Sequence, residues 1–403
     1  MSRCDNGKGG AVLPAKVNSG HDGSSQGWWS SQRGYYFMGI YTDANLIYEA
    51  GDRAMEGAPW KHATHLFEMN HLLETAKIQK AMQERSYSPD CGKTFVIRER
   101  GKRRVVTSIP CPDKTVNHVL CDNVLGPLLD PYLIHDNGAS RKGKGVAFHR
   151  RRFEQHLHEY YRKYGNQGFI LLGDFKSYYA SIDAAIATEM LVSLLEKSGK
   201  LSREDLDQTE WLLKVILGED VGVNIGGQPS QNVGITFAHG VDNYVKTVKS
   251  QRFYGRYSDD FYCINPSREF LQELTEGISV EAGKCKLTVH PNKTHIARID
   301  QPFKHLQISY RLTETGKLVK RINPEAVTRE RHRLKAYKRL LLAGRMSDEE
   351  VENAFKSWMV LNYKVMSRMQ IQGINNLYKD LFGKEITWKI SRLRYLTAQS
   401  SQA

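Results

Sequence analysis

The 403-residue sequence has few cysteines and no long apolar run. Its six cysteines are scattered without any Cys-x-x-Cys pair, which argues against a zinc site and indicates reduced thiols in a cytoplasmic protein. No apolar stretch approaches the ~20 residues that a membrane-spanning helix needs, and the first residues contain no apolar signal core. The sequence also lacks the Gly-x-x-x-x-Gly-Lys-Ser/Thr motif of a P-loop, which argues against an ATPase of that class.

Acidic residues are outnumbered by basic ones. The chain has 58 Lys and Arg against 44 Asp and Glu, a formal net charge of +14 at pH 7. An excess of this size indicates a polyanionic partner, and nucleic acid is the leading candidate. A generally basic surface is the alternative. Residues 1–35 are rich in Gly, Ser, Asn and Gln, a composition that predicts a flexible polar arm.

Two adjacent aspartates, Asp259 and Asp260, lie within the aromatic and β-branched stretch Arg252–Ile264. Their neighbours favour strand on both sides, so the stretch predicts a strand, a tight turn and a return strand. Adjacent carboxylates repel one another and are costly to bury unpaired. They are tolerable where a divalent cation such as Mg²⁺ takes up the charge. An ordinary hairpin turn, in which Ser and Asp are common, is the alternative.

A third aspartate, Asp174, follows the short apolar run Phe169–Leu172. The run predicts a buried strand, which would place Asp174 at the end of that strand. Acids at a strand end and at a nearby hairpin tip could hold two divalent ions ~3.5–4 Å apart. Such ions activate an attacking oxygen and stabilise a leaving one in phosphoryl transfer.

These segments resemble the palm of reverse transcriptases, in particular the compact bacterial enzymes. The acid motif of that family has an aspartate with an aromatic residue five positions later, here Asp174 and Tyr179. Its second motif is aromatic-x-Asp-Asp, here Tyr257–Asp260. The resemblance implies an α+β fold of the right-hand polymerase type. Its parts would be fingers (residues 36–166), a ferredoxin-like antiparallel palm (167–311) and a basic helical thumb (312–403).

The resemblance also implies roles for individual residues. Asp174, Asp259 and Asp260 would hold two Mg²⁺ ions, with Mn²⁺ as a possible substitute. Lys293 would lie near the leaving pyrophosphate. Tyr179 would be the steric gate that excludes a 2′-hydroxyl, with Tyr178 as the competing register. The residues expected to bind the nucleotide are Arg98, Arg104, Phe175, Tyr179 and Gln231. Those expected to bind nucleic acid are Arg141, Lys142, Lys144, Arg333 and Lys338.

Local patterns predict further elements. Four apolar residues at helical spacing predict a core-facing helix: Leu66, Met69, Leu73 and Ala76. A hairpin is predicted over Phe95–Ile109 and a helix within Pro110–Leu129. The Gly-rich basic stretch His135–Gly145 predicts either a phosphate cradle or a disordered loop. Asn323-Pro324 and Ser347–Glu350 are helix-start signals.

The predicted activity is RNA-directed DNA synthesis by two-metal nucleotidyl transfer. The expected partners are an RNA template, such as a noncoding RNA encoded nearby, the cDNA product and dNTPs. A protein partner or self-association stays open, and no membrane partner is expected. Antiphage defence is the favoured role, and diversity generation by a retroelement is the alternative. Two further hypotheses are a nucleic-acid-binding scaffold with a decayed palm and an RNA-directed RNA polymerase.

Overall fold

The computed structural model describes residues 39–90, 92–99, 102–224 and 226–386. The arm predicted over residues 1–35 lies outside the described residues. The described part is a mixture of helices and antiparallel sheets, as predicted. Within it, no helix is both long enough and apolar enough to cross a bilayer.

Three helices begin the described chain: α1 (Ala44–Glu56), α2 (His62–Met69) and α3 (His71–Gln83). The predicted single core-facing helix is wrong, because the helix is interrupted at Asn70 and the four apolar residues at helical spacing are all exposed. His71 begins the buried face of α3 instead, and its ring stacks on Tyr48 with the centroids 3.9 Å apart. A Cβ on Gly51 would lie 2.1 Å from Nε2 of His71. Gly51 therefore allows α1 and α3 to approach closely on the face of α3 that carries His71.

The predicted hairpin is present as β1 (Lys93–Glu99) and β2 (Lys102–Ser108), with Lys93 opposite Ser108. It forms a two-stranded sheet, and several of its apolar side chains are exposed. The chain continues through α4 (Cys111–Leu120), a π-helical turn (Cys121–Leu125), α5 (Gly126–Leu129), a 3₁₀ turn (Asp130–Tyr132) and α6 (Val146–Tyr164). The helix predicted within 110–129 is confirmed.

A four-stranded antiparallel sheet occupies the centre of the described chain. Its strands are β3 (Phe169–Asp174), β4 (Tyr254–Tyr257), β5 (Asp260–Asn265) and β6 (His295–Arg298), in the spatial order β4-β5-β3-β6. Between β3 and β4 lie α7 (Tyr178–Ser181), α8 (Ala184–Ser198), α9 (Arg203–Leu217), α10 (Gln228–Phe237), α11 (His239–Asn243) and a π-helical turn (Tyr244–Val248). Helix α12 (Arg268–Lys284) joins β5 to β6. This order of elements is a split βαβ arrangement.

The two central strands of this sheet, β3 and β5, are buried on both faces. Along β3, Leu171 belongs to the core that α8 and α12 cover, whereas Ile170 and Leu172 belong to a second core that includes α6. Strand β5 alternates in the same way, with Phe261 in the first core and Tyr262 in the second. Successive side chains of a strand point to opposite faces. A strand covered on both sides is therefore apolar throughout, which is why β3 is a continuous apolar run.

A three-stranded antiparallel sheet and three helices complete the described chain. The strands are β7 (Phe303–His305), β8 (Ile308–Leu312) and β9 (Leu318–Ile322). The helices are α13 (Pro324–Leu342), α14 (Asp348–Asn362) and, after a 3₁₀ turn at Tyr363–Val365, α15 (Arg368–Phe382). Both predicted helix starts are confirmed. The Asn323 side chain accepts from the N–H of Glu325, and Ser347 forms a reciprocal capping box with Glu350, so helix-end N–H groups gain acceptors.

Candidate active site

Three aspartates lie where the strands end on one side of the four-stranded sheet: Asp174, Asp259 and Asp260. This group is hereafter called the acid edge. Strand β3 ends at Asp174, directly opposite Asp260 at the start of β5. Asp259 lies in the turn between β4 and β5, and its carbonyl oxygen accepts a hydrogen bond from the N–H of Phe175 at 3.2 Å. The predicted strand, turn and return strand are therefore present, and the third acid lies beside them.

A glycine permits the close contact of the strands that carry these acids. Gly173 precedes Asp174 and pairs with Phe261 on β5. A Cβ at position 173 would lie 2.1 Å from the ring of Phe261. Such an approach is far inside van der Waals contact, so a larger residue would push β3 away from β5. The glycine is thus a packing requirement of the acid edge.

Asp260 lies beside other negative charge at the acid edge. Burial, followed by the neighbouring carboxylates of Asp259 and Asp174, raises the pKa of Asp260 to about 7. The whole Asp174 residue is only 6% exposed. When carboxylates lie close together in a partly buried site, each one disfavours the ionised form of its neighbours, because like charges repel. A cation at this edge would relieve that repulsion.

Lys293 supplies one such cation. Its ammonium donates to the two carboxylate oxygens of Asp174 at 2.9 and 2.8 Å, and this pairing raises the pKa of the lysine. The backbone brings the segment there, since the N–H of His290 donates to the carbonyl of Asp174 at 2.7 Å and Val289 bridges to Phe175. Lys293 therefore lies at the acid edge. The role near a leaving pyrophosphate stays a prediction.

The acids fit a divalent cation by charge and by donor type, since Mg²⁺ prefers carboxylate oxygens. Within the described ranges, however, no three Asp, Glu, His or Cys side chains form a ready metal-binding group. The ammonium of Lys293 already contacts both oxygens of Asp174. Lys293 therefore competes with a metal ion for the carboxylate oxygens of Asp174.

The competition between lysine and metal gives a testable expectation. Lys293→Met protein should bind Mn²⁺ about 5-fold more tightly than the unaltered protein, because a charge pair at a half-exposed lysine is worth about 1 kcal/mol. Mn²⁺ titrations followed by electron paramagnetic resonance measure this affinity. Lys176→Met is the control, since it removes an exposed positive charge two residues from Asp174 and should leave the affinity nearly unchanged. Weaker Mn²⁺ binding by Lys293→Met would contradict the expectation.

Two adjacent tyrosines differ in accessibility. Tyr178 is 3% exposed, stacks on Phe175 with the centroids 5.5 Å apart, and donates to the carbonyl of Gly234 at 2.7 Å. Tyr179 is half-buried, and a Cβ on Gly234 would lie 2.8 Å from its ring. Of the two registers considered for the gate, Tyr179 is the one that a ligand can reach.

Two further residues expected to bind the nucleotide also differ in access. Phe175 is 1% exposed, and its ring packs against Phe261 with the centroids 5.3 Å apart. Its side chain belongs to the core, so a nucleotide could contact only its backbone. Gln231 lies in the first turn of α10 and is exposed. Its side chain is accessible, as the predicted role requires.

The two arginines predicted to grip a triphosphate lie on the first hairpin. Arg98 on β1 pairs with Arg103, and Arg104 on β2 pairs with Ile97. The backbone therefore places the two predicted residues in neighbouring rungs of one ladder. The side chains of Arg98 and Arg104 lie outside the part of the structure that is described. Their contact with a nucleotide stays a prediction.

Arg141, predicted to bind nucleic acid, is instead used within the protein. Its Nε donates to the carboxylate of Asp130 at 2.6 Å. Its Nη1 donates to the carbonyls of Ile134 and Asn137 at 2.8 and 3.1 Å. The Arg141 side chain is 6% exposed, so these contacts hold the loop together and leave little of the guanidinium for a phosphate.

The rest of the basic loop is likewise tied to the body. Lys144 donates to the carbonyl of His135 at 2.8 Å, and burial lowers the pKa of Lys144 to about 8. Asn137 forms a parallel β-bridge with Arg256 on β4. The segment is therefore neither a disordered loop nor an open cradle. Lys142 is exposed and is the member of the predicted trio best placed to meet a phosphate.

Helix α13 carries the remaining predicted nucleic-acid-binding residues. Arg333 pairs with the buried carboxylate of Glu330. The ammonium of Lys338 lies 5.8 Å from the centroid of the Phe382 ring. Other cations of the same helix are exposed: Arg329, Arg331, Lys335 and Arg339. A basic helical surface is present, and its contact with nucleic acid stays a prediction.

Sequence reasoning missed a buried ion pair next to the acid edge. Arg256 on β4 and Asp242 on α11 are 0% and 1% exposed, with a closest N–O distance of 2.7 Å. The available signal was a charged residue between Gly255 and Tyr257, inside a strand with aromatic and apolar neighbours. A charge in such a place needs a buried partner.

Comparisons with known proteins found structural similarity only. No family model matches the chain, and no curated protein matches it. A structure of telomerase from Candida albicans in complex with the TWJ fragment of telomeric RNA is 12% identical, at a TM-score of 0.48 over 78% of this chain and 58% of that chain. A structure of apo telomerase from Candida tropicalis, truncated from its C-terminal domain, is 13% identical, at a TM-score of 0.43 over 58% of this chain and 55% of that chain. This chain thus spans less than two thirds of either telomerase chain, and its function must be argued from its own residues.

Proposed function

We propose that the chain is an RNA-directed DNA polymerase of the reverse-transcriptase type. The acid edge supports this most strongly, because three aspartates lie at the ends of neighbouring strands and the neighbouring carboxylates contribute to the raised pKa of Asp260. The sequence motifs at the same residues are those of the resemblance. In the proposed layout, residues 36–166 are the fingers, 167–311 the palm and 312–403 the thumb.

The residues of the acid edge would hold two Mg²⁺ ions, or Mn²⁺ in their place. When bound, such ions lower the pKa of an attacking hydroxyl and neutralise charge on a triphosphate. The chain's own side chains orient the reactants. Tyr179 would lie under the sugar of the incoming nucleotide. Lys293, once released from Asp174, would place a positive charge where negative charge develops.

We further propose that the template is a dedicated RNA and that the product is its cDNA. The net charge of +14 and the exposed cations of α13 support a partner that is bound through its phosphates. For the biological role we propose antiphage defence, with diversity generation by a retroelement as the alternative. Copying of one noncoding RNA favours the first role, and substituted copies of a coding segment favour the second.

Primer extension tests the proposed activity. Purified protein is given an RNA template annealed to a DNA primer, Mg²⁺ and all four dNTPs, and the products are sequenced. We expect extension complementary to the RNA. Protein that binds the RNA but extends no primer under Mg²⁺ or Mn²⁺ would support the scaffold hypothesis instead. A preference for ribonucleotides would support an RNA-directed RNA polymerase.

Tyr179, the accessible tyrosine, is expected to set the preference of the site for deoxynucleotides over ribonucleotides. Tyr179→Ala protein is expected to use ribonucleotides about 10- to 100-fold better, relative to deoxynucleotides, than the unaltered protein, because removing the ring opens space for a 2′-hydroxyl. The ratio of kcat/KM for rNTP and dNTP measures this. Tyr178→Phe is the control, since it removes the hydrogen bond to Gly234 and keeps the buried ring. An unchanged ratio in Tyr179→Ala would mean that this residue is not the gate.

A further inference from the structure

Arg256 is a fully buried charge directly behind the acid edge. It lies on β4, three residues before Asp259, and is 0% exposed. A guanidinium stays protonated in proteins, and burying it is costly unless its donors are satisfied. The hydrogen bonds that its guanidinium donates therefore indicate the structural role of Arg256.

One side of the guanidinium is neutralised by Asp242. The Nε of Arg256 donates to the two carboxylate oxygens at 2.9 and 3.0 Å, and Nη2 donates to one of them at 2.7 Å. The same carboxylate accepts from the hydroxyl of Tyr254 at 2.8 Å. Because this pair carries no net charge, Arg256 does not act as a free counter-ion for the aspartates of the acid edge.

The guanidinium also donates hydrogen bonds to two backbone carbonyls. Its Nη2 donates to the carbonyl of Ile235 on α10 at 2.7 Å, and its Nη1 donates to the carbonyl of Ser258 at 2.8 Å. The second carbonyl belongs to the peptide bond that joins Ser258 to Asp259. Ser258 has a φ of +56°, which few residues other than glycine adopt. The arginine thus fixes the peptide plane that leads into Asp259.

We infer that Arg256 is a positioning residue for the acid edge. It ties the turn that carries Asp259 to two helices, α10 and α11, through one rigid planar group. It does not contact the substrate. The inference rests on the proposed function and extends it, since it assigns the geometry of the turn to an ion pair outside the acid edge. The planar fork matters as much as the charge, because a lysine ammonium is a single point that cannot reproduce these contacts together.

The test compares two changes in the same buried network. Arg256→Lys keeps a positive charge beside Asp242 and loses the fork that reaches Ser258. Tyr254→Phe removes a hydrogen bond to Asp242 and leaves the contact between Arg256 and Ser258 intact. Thermal unfolding, Mn²⁺ affinity and the steady-state kinetics of primer extension are measured for both variants. Thermal unfolding measures the loss of folding stability separately from any loss of metal binding or activity.

We expect kcat of Arg256→Lys to fall about 10- to 100-fold with KM for dNTP nearly unchanged, because small misplacements at a reacting centre are costly. Its Mn²⁺ affinity should fall as well. Tyr254→Phe should retain kcat and Mn²⁺ affinity even where its unfolding temperature drops by a similar amount. Losses that follow the unfolding temperature in both variants would overturn the inference, as would unchanged kcat and Mn²⁺ affinity in a folded Arg256→Lys protein.

The Mn²⁺ readout separates this inference from the proposed function. Unaltered protein that binds Mn²⁺ but extends no primer would overturn the proposed function. In that case the inference stands if Arg256→Lys binds Mn²⁺ more weakly and Tyr254→Phe does not. Unaltered protein that neither binds Mn²⁺ nor extends a primer would overturn both, because Arg256 would then have no metal-binding edge to position.

Discussion

Asp259→Asn protein is expected to extend an RNA-templated primer about 1000-fold more slowly than the unaltered protein. The change removes one negative charge from the tip of the β4–β5 turn and nearly keeps the shape of the side chain. A bound cation that stabilises charge at a phosphoryl centre contributes several kcal/mol, and each 1.36 kcal/mol is tenfold in rate. Single-turnover extension in Mg²⁺ measures the chemical step. The Asp259→Ala/Asp260→Ala double variant should have no measurable activity.

Asp300→Asn is a matched control for this loss. Asp300 pairs with Arg298, and Arg298 lies opposite Phe169, at the end of β3 remote from Asp174. The substitution is chemically the same, and the residue belongs to the same part of the chain. Extension should stay within about 2-fold of the unaltered rate, because surface pairs contribute little. Full activity in a folded Asp259→Asn protein would show that the acid edge is not the site of polymerisation.

Asp260→Asn protein, with metal removed by EDTA, is expected to be more stable than the unaltered protein at pH 8. The pKa of the Asp260 carboxyl is raised from 3.8 to about 7 in the folded chain. The folded state therefore holds a proton that the unfolded state releases between these two values, and stability falls as the pH rises through this window. The side chain of asparagine does not titrate, so the variant does not lose stability as the pH rises through this window. About 2 kcal/mol of extra unfolding free energy is expected, which discounts the full shift for solvent screening.

Urea unfolding in EDTA at pH 8 and at pH 5 measures this difference. The advantage of Asp260→Asn should be largest at pH 8 and should shrink at pH 5, since the carboxyl of the folded protein is then mostly protonated. Asp300→Asn should show no gain, because Arg298 lowers the pKa of Asp300 instead of raising it. A loss of stability in Asp260→Asn at pH 8 would mean that the carboxylate is well compensated without metal. The variant should also lose polymerisation, so stability and activity would move in opposite directions.

The acid edge could be predicted from the sequence because its elements are specified locally. Strand β3 is covered on both faces, which makes it a continuous apolar run before Asp174. The β4–β5 hairpin is bounded by strand-favouring residues on either side of its two acids. The helix starts at Asn323 and Ser347 depend on hydrogen bonds within a few residues. In each case the information lies in adjacent residues.

Other features depend on contacts between distant parts of the chain. The inward face of α3 is set by the approach of His71 to Gly51, which no helical spacing reports. The loop after 134 is ordered by its own arginine and by its bridge to β4, although its composition favoured either disorder or a phosphate cradle. The position of Lys293 on Asp174 joins residues 119 positions apart. These contacts could not be read from local patterns.

Sequencing the nucleic acid that purifies with the protein from its host tests the central claim most directly. Unaltered protein and Asp259→Ala/Asp260→Ala protein are purified in parallel, and their bound RNA and DNA are compared. We expect DNA complementary to a bound RNA with the unaltered protein alone, and the same RNA without that DNA with the double variant. Identical RNA and DNA from both proteins would contradict the polymerase assignment and would leave a nucleic-acid-binding scaffold.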